Sequence, residues 1–197
     1  MSSISEYMAA HRAVRALAFR DILTSIDGED PDREGLSDTP RRAADALTEF
    51  TGGYGMDLGE LFTTFDSGGY DEMVTVRDVP LHSLCEHHLL PFIGRAHVSY
   101  IPDGRIVGLS KIARVVNALA RRLQVQERLT IEIADTIEKY LTPAGLLVMV
   151  EAEHLCMTMR GVQAPGTTTT TTAVRGRIRE HLPTRNEAVA SIGMRTR

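Results

Sequence analysis

The chain has 197 residues, 43% hydrophobic and 24% charged, with a formal net charge of −4. That length holds one domain with a sizeable core, or a domain with a helical extension, but not comfortably two. A net acidic chain is not built to bind nucleic acid, so any anionic ligand must be small and locally held. Residues 1–20 lack the apolar centre of a signal peptide, and no run approaches the roughly 18 apolar residues of a membrane span, so a soluble cytoplasmic protein is expected.

Met8, Val14, Leu17, Ala18, Ile22 and Ile26 recur at roughly helical spacing, which predicts an amphipathic helix ending before Gly28-Glu29-Asp30-Pro31 and packing on a partner. Asp38-Thr39-Pro40 opens a second helix, running through Ala43, Ala46, Leu47 and Phe50 to Gly52-Gly53. Arg41 and Arg42 fall in its first turn, where cations oppose the helix dipole unless an anion meets them. After a polar break from Asp66 to Asp71, Met73 to Val79 reads as a strand ended by Pro80. The junction between a helical N-terminal region, 1–72, and a catalytic region, 73–197, is placed here.

Phe92 to Ile101 reads as the next strand, with Ala96, Val98 and Tyr100 on one face and His97 and Ser99 on the other. Pro102-Asp103-Gly104 turns the chain, and Arg105-Ile106-Val107 begins the return. Ser110 then caps a helix whose Ile112, Val115, Val116, Leu119 and Leu123 form one apolar stripe. The free N–H groups of its first turn, with Ser110, Lys111 and Arg114, suit a phosphate. A further helix from Gln126 to Leu141 buries Leu129, Ile133, Ile137 and Leu141, and Glu127 in its first turn favours the dipole.

Leu146 to Ala152 and Met157 to Val162 read as two strands flanking His154 and Cys156. The run Thr167 to Thr172 has the low complexity of a disordered tract, but threonine is β-branched and Ala173-Val174 extend the run, so a strand is the better reading. Thr184-Arg185-Asn186-Glu187 has the form of a capping box opening a terminal helix. The order ββ-α-α-ββ predicts an α+β domain, an antiparallel sheet with its helices on one face. A four-stranded sheet leaves exposed edges, which closure of several copies into a barrel would remove.

Cys85 and Cys156 are the only cysteines. Two cysteines are compatible with unrelated buried residues or with a disulfide, though a reducing compartment disfavours the latter. Cys85 and His88, three apart, also fit around one tetrahedral zinc, with Cys156 as third ligand. Three protein ligands and a fourth position left to water is the pattern of a catalytic zinc. His87 and His154 stand beside these residues and can carry protons without being ligands.

Cys85-Glu86-His87-His88, Gly108-Leu109-Ser110-Lys111, Gln124-Val125-Gln126-Glu127-Arg128-Leu129 and His154-Leu155-Cys156 with Arg160-Gly161 together resemble, in the family's order, GTP cyclohydrolase I. The resemblance covers roughly Asp38 to Glu187. It implies a zinc enzyme of the tunnelling fold (ββααββ), forming toroidal homodecamers, dimers of pentamers, with active sites at subunit contacts. The reaction it implies is hydrolytic opening of the GTP imidazole ring, release of formate and rearrangement to 7,8-dihydroneopterin triphosphate, the first step of tetrahydrofolate and pterin biosynthesis. It carries over zinc to Cys85, His88 and Cys156, and catalytic roles to His87, His154 and Ser110. Glu127, with Gln126 beside it, becomes the guanine reader, and Arg42, Lys111, Arg114 and Arg160 meet the triphosphate. His11, His82, His97 and His181 have no such context and read as ordinary polar histidines.

Overall fold

A computed structural model describes residues 2–194, with side chains from residue 10 onward. The chain divides into two compact units that meet at Gly52/Gly53, upstream of the 72/73 junction expected from the sequence.

The first unit holds α1 (Ser2–Thr24) and α2 (Thr39–Phe50). Arg12 pairs with Asp45, and Arg15 Nη1 donates to Thr48 Oγ1 at 2.6 Å, so polar contacts join the two helices. The expected stripe on α1 is uncovered: Val14, Leu17 and Ile22 are exposed, as is Ile26, which falls beyond the helix, and the side chain of Met8 lies outside the described residues. Asp38 does not cap α2 with its side chain. Its carboxylate instead accepts from Arg41 and Arg42, each at 3.3 Å, which supplies the anion that cations in a first turn require.

The second unit is built on a five-stranded sheet of order β5-β2-β3-β6-β7, from β2 (Val74–Cys85), β3 (Pro91–Ile101), β5 (Leu123–Gln124), β6 (Gly145–His154) and β7 (Thr168–Arg175). All pairs are antiparallel except β2 with β5. On one face lie α3 (Leu109–Ala120) and α4 (Gln126–Leu141), the two helices expected there. Ile112, Val115, Val116 and Leu119 of α3 and Leu129, Ile133, Ile137 and Leu141 of α4 are buried against Leu81, Ala96, Val98, Leu146, Val148 and Val150 of the sheet. At about 1.5–3 kcal/mol for each large side chain, this layer dominates the unit's stability.

The other face is not left bare. Here α6 (Gly176–Glu180) and α7 (Leu182–Gly193) set Ile178 and Ala188 against Ile101 and Leu147, so helices flank both faces rather than one. His97 and Ser99, expected on a polar face, are buried as a result. His97 Nδ1 accepts the N–H of Asp78 at 3.1 Å, and its Nε2 lies 3.7 Å from Glu151.

Other local expectations are corrected. Pro80 does not end β2, which runs on to Cys85 with Pro80 opposite Arg95. Its missing N–H is tolerated because β5 reaches only Leu84 and Cys85, leaving Pro80 on an edge. Just before it, Asp78 takes φ +58 in an irregularity between Val76 and Val79. Arg105–Val107 (β4) does not return along β3 but pairs with β1 (Thr64–Asp66) in a separate two-stranded sheet. Residues 157–162 form no strand: α5 (Leu155–Thr158) is followed by turns at Gly161, φ +62, and Gln163, φ +50. Gly108 rather than Ser110 is the N-cap of α3. Thr184 lies inside α7, and its Oγ1 meets His181 Nδ1 at 2.8 Å instead of closing a capping box. The threonine run is a strand, as expected.

Candidate metal centre and its surroundings

Cys85 closes β2 where that strand meets β5, and Glu86 N–H donates to Gln124 O at 3.0 Å just beyond. The chain then reverses within a few residues: Leu89 N–H donates to Cys85 O at 2.8 Å, and Cys85 N–H to Leu90 O at 2.9 Å. Leu89 takes φ +54 to allow this. The turn exposes His87 and His88 directly beside a buried Cys85. Cys156 arrives from the other direction, on α5, immediately after β6. Pairing of Phe92 with His154 brings the end of β6 alongside the start of β3, which closes the 71-residue interval between the cysteines.

The outcome is a cluster in which Cys85 Sγ, Cys156 Sγ and a ring nitrogen of His88 all lie within 4.8 Å of one another. Tetrahedral zinc, with ligands at about 2.0–2.3 Å, places such atoms roughly 4 Å apart, so the set closes on one ion with small side-chain movements. Both cysteines are free. Burial and the adjacent Cys85 raise the pKa of the Cys156 thiol, the condition a bound cation reverses by taking a thiolate. A sulfur, nitrogen, sulfur donor set fits zinc by softness and by number.

The histidines flanking this cluster differ. His87 is exposed, with Nδ1 3.7 Å from Cys85 Sγ. His154 is partly buried: its ring stacks on Phe92, centroids 4.8 Å apart and planes 13° apart, and its Nε2 lies 2.8 Å from Gln126 Oε1. Burial lowers its pKa, partly offset by Glu127.

Of the remaining expected residues, Gln126 and Glu127 bear on His154, and the charge of Arg160 reaches Cys156. Glu127 is exposed in the first turn of α4, while its neighbour Gln126 is buried and has its amide engaged within the chain. Ser110 and Arg114 are exposed and Lys111 half-buried at the start of α3, and Arg160 is exposed beyond α5. Among the described residues no hydrogen bond or ion pair joins these four to the cysteine cluster. Arg42 belongs to the other unit, where it meets Asp38.

Two features were missed in the sequence. Arg128 pairs with Glu86, donates to Gln124 Oε1 at 3.0 Å and to Leu123 O at 2.8 Å, and so ties the loop bearing His87 and His88 to the start of α4. This pairing holds the Glu86 carboxyl below its ordinary pKa. Phe92 is the second, a core aromatic that doubles as the platform for His154. Arg128 was visible within the Gln124–Leu129 motif; Phe92 carried no signal beyond hydrophobicity.

A family model described as GTP cyclohydrolase I matches residues 16–193. Proteins called GTP cyclohydrolase 1 are similar over most of this chain. One from Carboxydothermus hydrogenoformans is 55% identical over 178 residues, 90% of this chain and 92% of its own. One from Thermobifida fusca is 56% identical over 87% of this chain and 84% of its own. A third, from Bacillus pumilus, is 49% identical over 98% of both. Among solved structures, an apo archaeosine synthase QueF-like chain superposes with a TM-score of 0.45 at 17% identity, covering 53% of this chain and 93% of that one, a likeness too loose to bear on this site.

Proposed function

Because the chain belongs to the GTP cyclohydrolase I family, we propose that it opens the imidazole ring of GTP at the cluster of Cys85, His88 and Cys156. The protein is an enzyme, a GTP cyclohydrolase, and GTP is its substrate. The observation that carries the assignment of the centre is the convergence of three soft and borderline ligand atoms within 4.8 Å beside His154.

Cys85, His88 and Cys156 would hold a zinc ion, which would supply Lewis acidity at this centre. Hydrolysis at C8 consumes two waters and breaks both links from C8 to the ring nitrogens, so C8 departs as formate while N7 gains two protons and N9 gains one. His154 and His87 carry those protons, a task suited to side chains that titrate near neutrality. The Glu127 carboxylate accepts the guanine N1–H and exocyclic N–H together, a pairing adenine cannot offer. Arg42, Lys111, Arg114 and Arg160 meet the triphosphate, and Ser110 lies near the ribose and phosphates. Ribose rearrangement and pterin ring closure then give 7,8-dihydroneopterin triphosphate, the entry compound for tetrahydrofolate and pterin synthesis.

That no hydrogen bond or ion pair among the described residues joins Lys111 or Arg114 to the cluster supports a site completed by other copies. Among the described residues β2, paired with β3 on one side, has only the short β5 on the other, and β7 has no neighbour beyond β6; a homodecameric barrel of the tunnelling fold, two pentamers, would pair both edges. The uncovered stripe of α1 supports the same reading. Among the described residues no helix is long and apolar enough to cross a membrane, and free thiols suit the reducing cytoplasm in which we place the protein.

The test is turnover of GTP by the purified protein, watching formate and pterin absorbance together beside its zinc content by elemental analysis. Both products should form in equal amounts and vanish with the metal. Formate without a pterin would mean an enzyme that stops after ring opening.

A further inference from the structure

We propose that Gln126 is a positioning residue which fixes His154 in a single tautomer, the proton on Nε2 and the lone pair on Nδ1. This rests on the reading of His154 as a proton carrier, and it moves Gln126 away from the guanine contacts among which its sequence motif placed it.

A glutamine side chain ends in a donor and an acceptor of similar shape, and its surroundings decide which points where. Gln126 is 1% exposed, and its surroundings are unambiguous. One end lies 3.0 Å from Val150 O and 2.9 Å from Thr169 O. Backbone carbonyls only accept, so that end is the NH2 group, and its two hydrogens are taken by strands β6 and β7. Thr171 Oγ1, 3.2 Å away, adds a third contact, and it meets Thr130 Oγ1 at 2.6 Å one turn along α4. The other end is therefore the amide oxygen, and it faces His154 Nε2 at 2.8 Å. An amide oxygen cannot donate. The contact is satisfied only when His154 Nε2 carries a hydrogen.

The ring is fixed in a second way. Phe92 lies nearly parallel to it, at 4.8 Å and 13°, so one face is covered while one edge is tethered. Among the described residues Nδ1 has no partner, and in the neutral ring it bears the lone pair. His154 thus enters the reaction able to accept a proton at Nδ1 and unable to donate one there. The opposite tautomer would present N–H at that atom, and the first transfer would fail. Adjacent residues of one helix divide the work: Gln126, buried, orients the proton carrier, and Glu127, exposed, is left to meet the base.

The experiment is nitrogen NMR of the zinc-loaded protein with 15N-labelled histidine, the His154 signals identified by their loss in His154→Asn. At a pH where the ring is neutral, Nε2 should show the protonated, pyrrole-type shift and Nδ1 the pyridine-type shift. A protonated Nδ1 in the wild type overturns the proposal. Gln126→Met removes the oxygen at similar length. It should mix the tautomers and lower kcat by about 10²-fold, as for a misplaced proton carrier, with zinc content and the KM for GTP unchanged. A raised KM with normal kcat would instead make Gln126 a substrate contact and overturn the proposal. Gln126→Glu, its carboxyl protonated so that O–H replaces N–H towards Val150 O and Thr169 O, keeps an acceptor oxygen and should recover much of the lost kcat together with the Nε2–H tautomer; equal loss in both variants, each with the wild-type tautomer, overturns the positioning role. Should Gln126→Met not fold, the wild-type spectrum alone still decides. Because the spectrum needs no turnover, a protein inert towards GTP would refute the functional reading while leaving the tautomer to be judged separately.

Discussion

Replacing Glu127 by alanine separates two roles that differ in size. As a first-turn acid on α4, whose N-cap Val125 offers no side-chain bond, the carboxylate favours the helix dipole by about 0.3–1 kcal/mol. It is exposed and makes no hydrogen bond or ion pair among the described residues, so no packing is lost with it. In a chain this long, that loss lowers Tm by no more than about 2–4 °C. As a guanine reader it would accept two N–H bonds at roughly 1.5–3 kcal/mol each, together about 3–6 kcal/mol. At about 1.4 kcal/mol for each factor of ten, kcat/KM for GTP should fall by roughly 10²–10⁴-fold. The assay is pterin formation across a range of GTP concentrations, with zinc content and a thermal melt on the same preparation, and ATP as comparator. ATP places an acceptor at N1 against the carboxylate, and the wild type should reject it. Near-normal kcat/KM in Glu127→Ala, with melt and zinc intact, refutes the reasoning: the residue would be a dipole partner only.

Cys156→Ser should lose both metal and turnover, whereas His154→Ala should keep the metal and lose turnover; elemental analysis beside formate release distinguishes them, and zinc loss in the second would make His154 a ligand. In Gly94→Ala the new Cβ would stand 1.8 Å from Glu151 O and 2.6 Å from Ala152 Cα, so β3 and β6 must part and the urea midpoint should fall by an amount equivalent to about 1–3 kcal/mol or more. The buried His97 imidazole has a lowered pKa, chiefly through burial, with Glu151 and Asp78 acting to raise it and Arg95 to lower it. Below its unfolded value of about 6.5 the unfolded chain binds the proton and the folded one resists it, so stability falls as pH drops through that window and is flat above it. The melting temperature of His97→Gln should decline less steeply than that of the wild type between about pH 6.5 and pH 5; an identical slope would show that His97 is not the cause. Sedimentation should find a large ring, and a stable, fully active monomer would remove the argument from open sheet edges.

The residues legible in the sequence were those whose chemistry or period is local. The stripes of α3 and α4 follow from 3.6-residue spacing, and the β-branched run of β7 from its side chains, so they survive contact with the structure, except that Leu123 falls beyond α3, in β5. The cluster was legible because thiols are few and each has a histidine beside it. Misreadings arose where a distant partner decides. Pro80 ends a strand only if both its edges are paired, and the shortness of β5 is invisible upstream. Arg105–Val107 could not announce that its partner was Thr64–Asp66, some 40 residues earlier, rather than the strand just left. The segment 157–162 has strand-like side chains, but its backbone turns at Gly161 and Gln163. Gln126 was ambiguous by its chemistry, since an amide serves equally to read a base or to hold a histidine until its neighbours are known.

The threonines of β7 leave the register of the strand to be set elsewhere. Thr169 and Thr171 face α4 and Gln126, while Thr168, Thr170 and Thr172 point outward, so a slide of two residues against β6 exchanges threonine for threonine on both sides. Within the run itself nothing distinguishes the right alignment from the slipped one. The distinguishing marks lie at its far end: Ala173 in the core, Arg175 donating to Asp135 at 2.8 Å, and Gly176 at φ +52, where a Cβ would meet Ala144 O at 2.4 Å. The register of the strand is therefore fixed from its C-terminal end, and the contacts that hold Gln126 depend on marks several residues away from them.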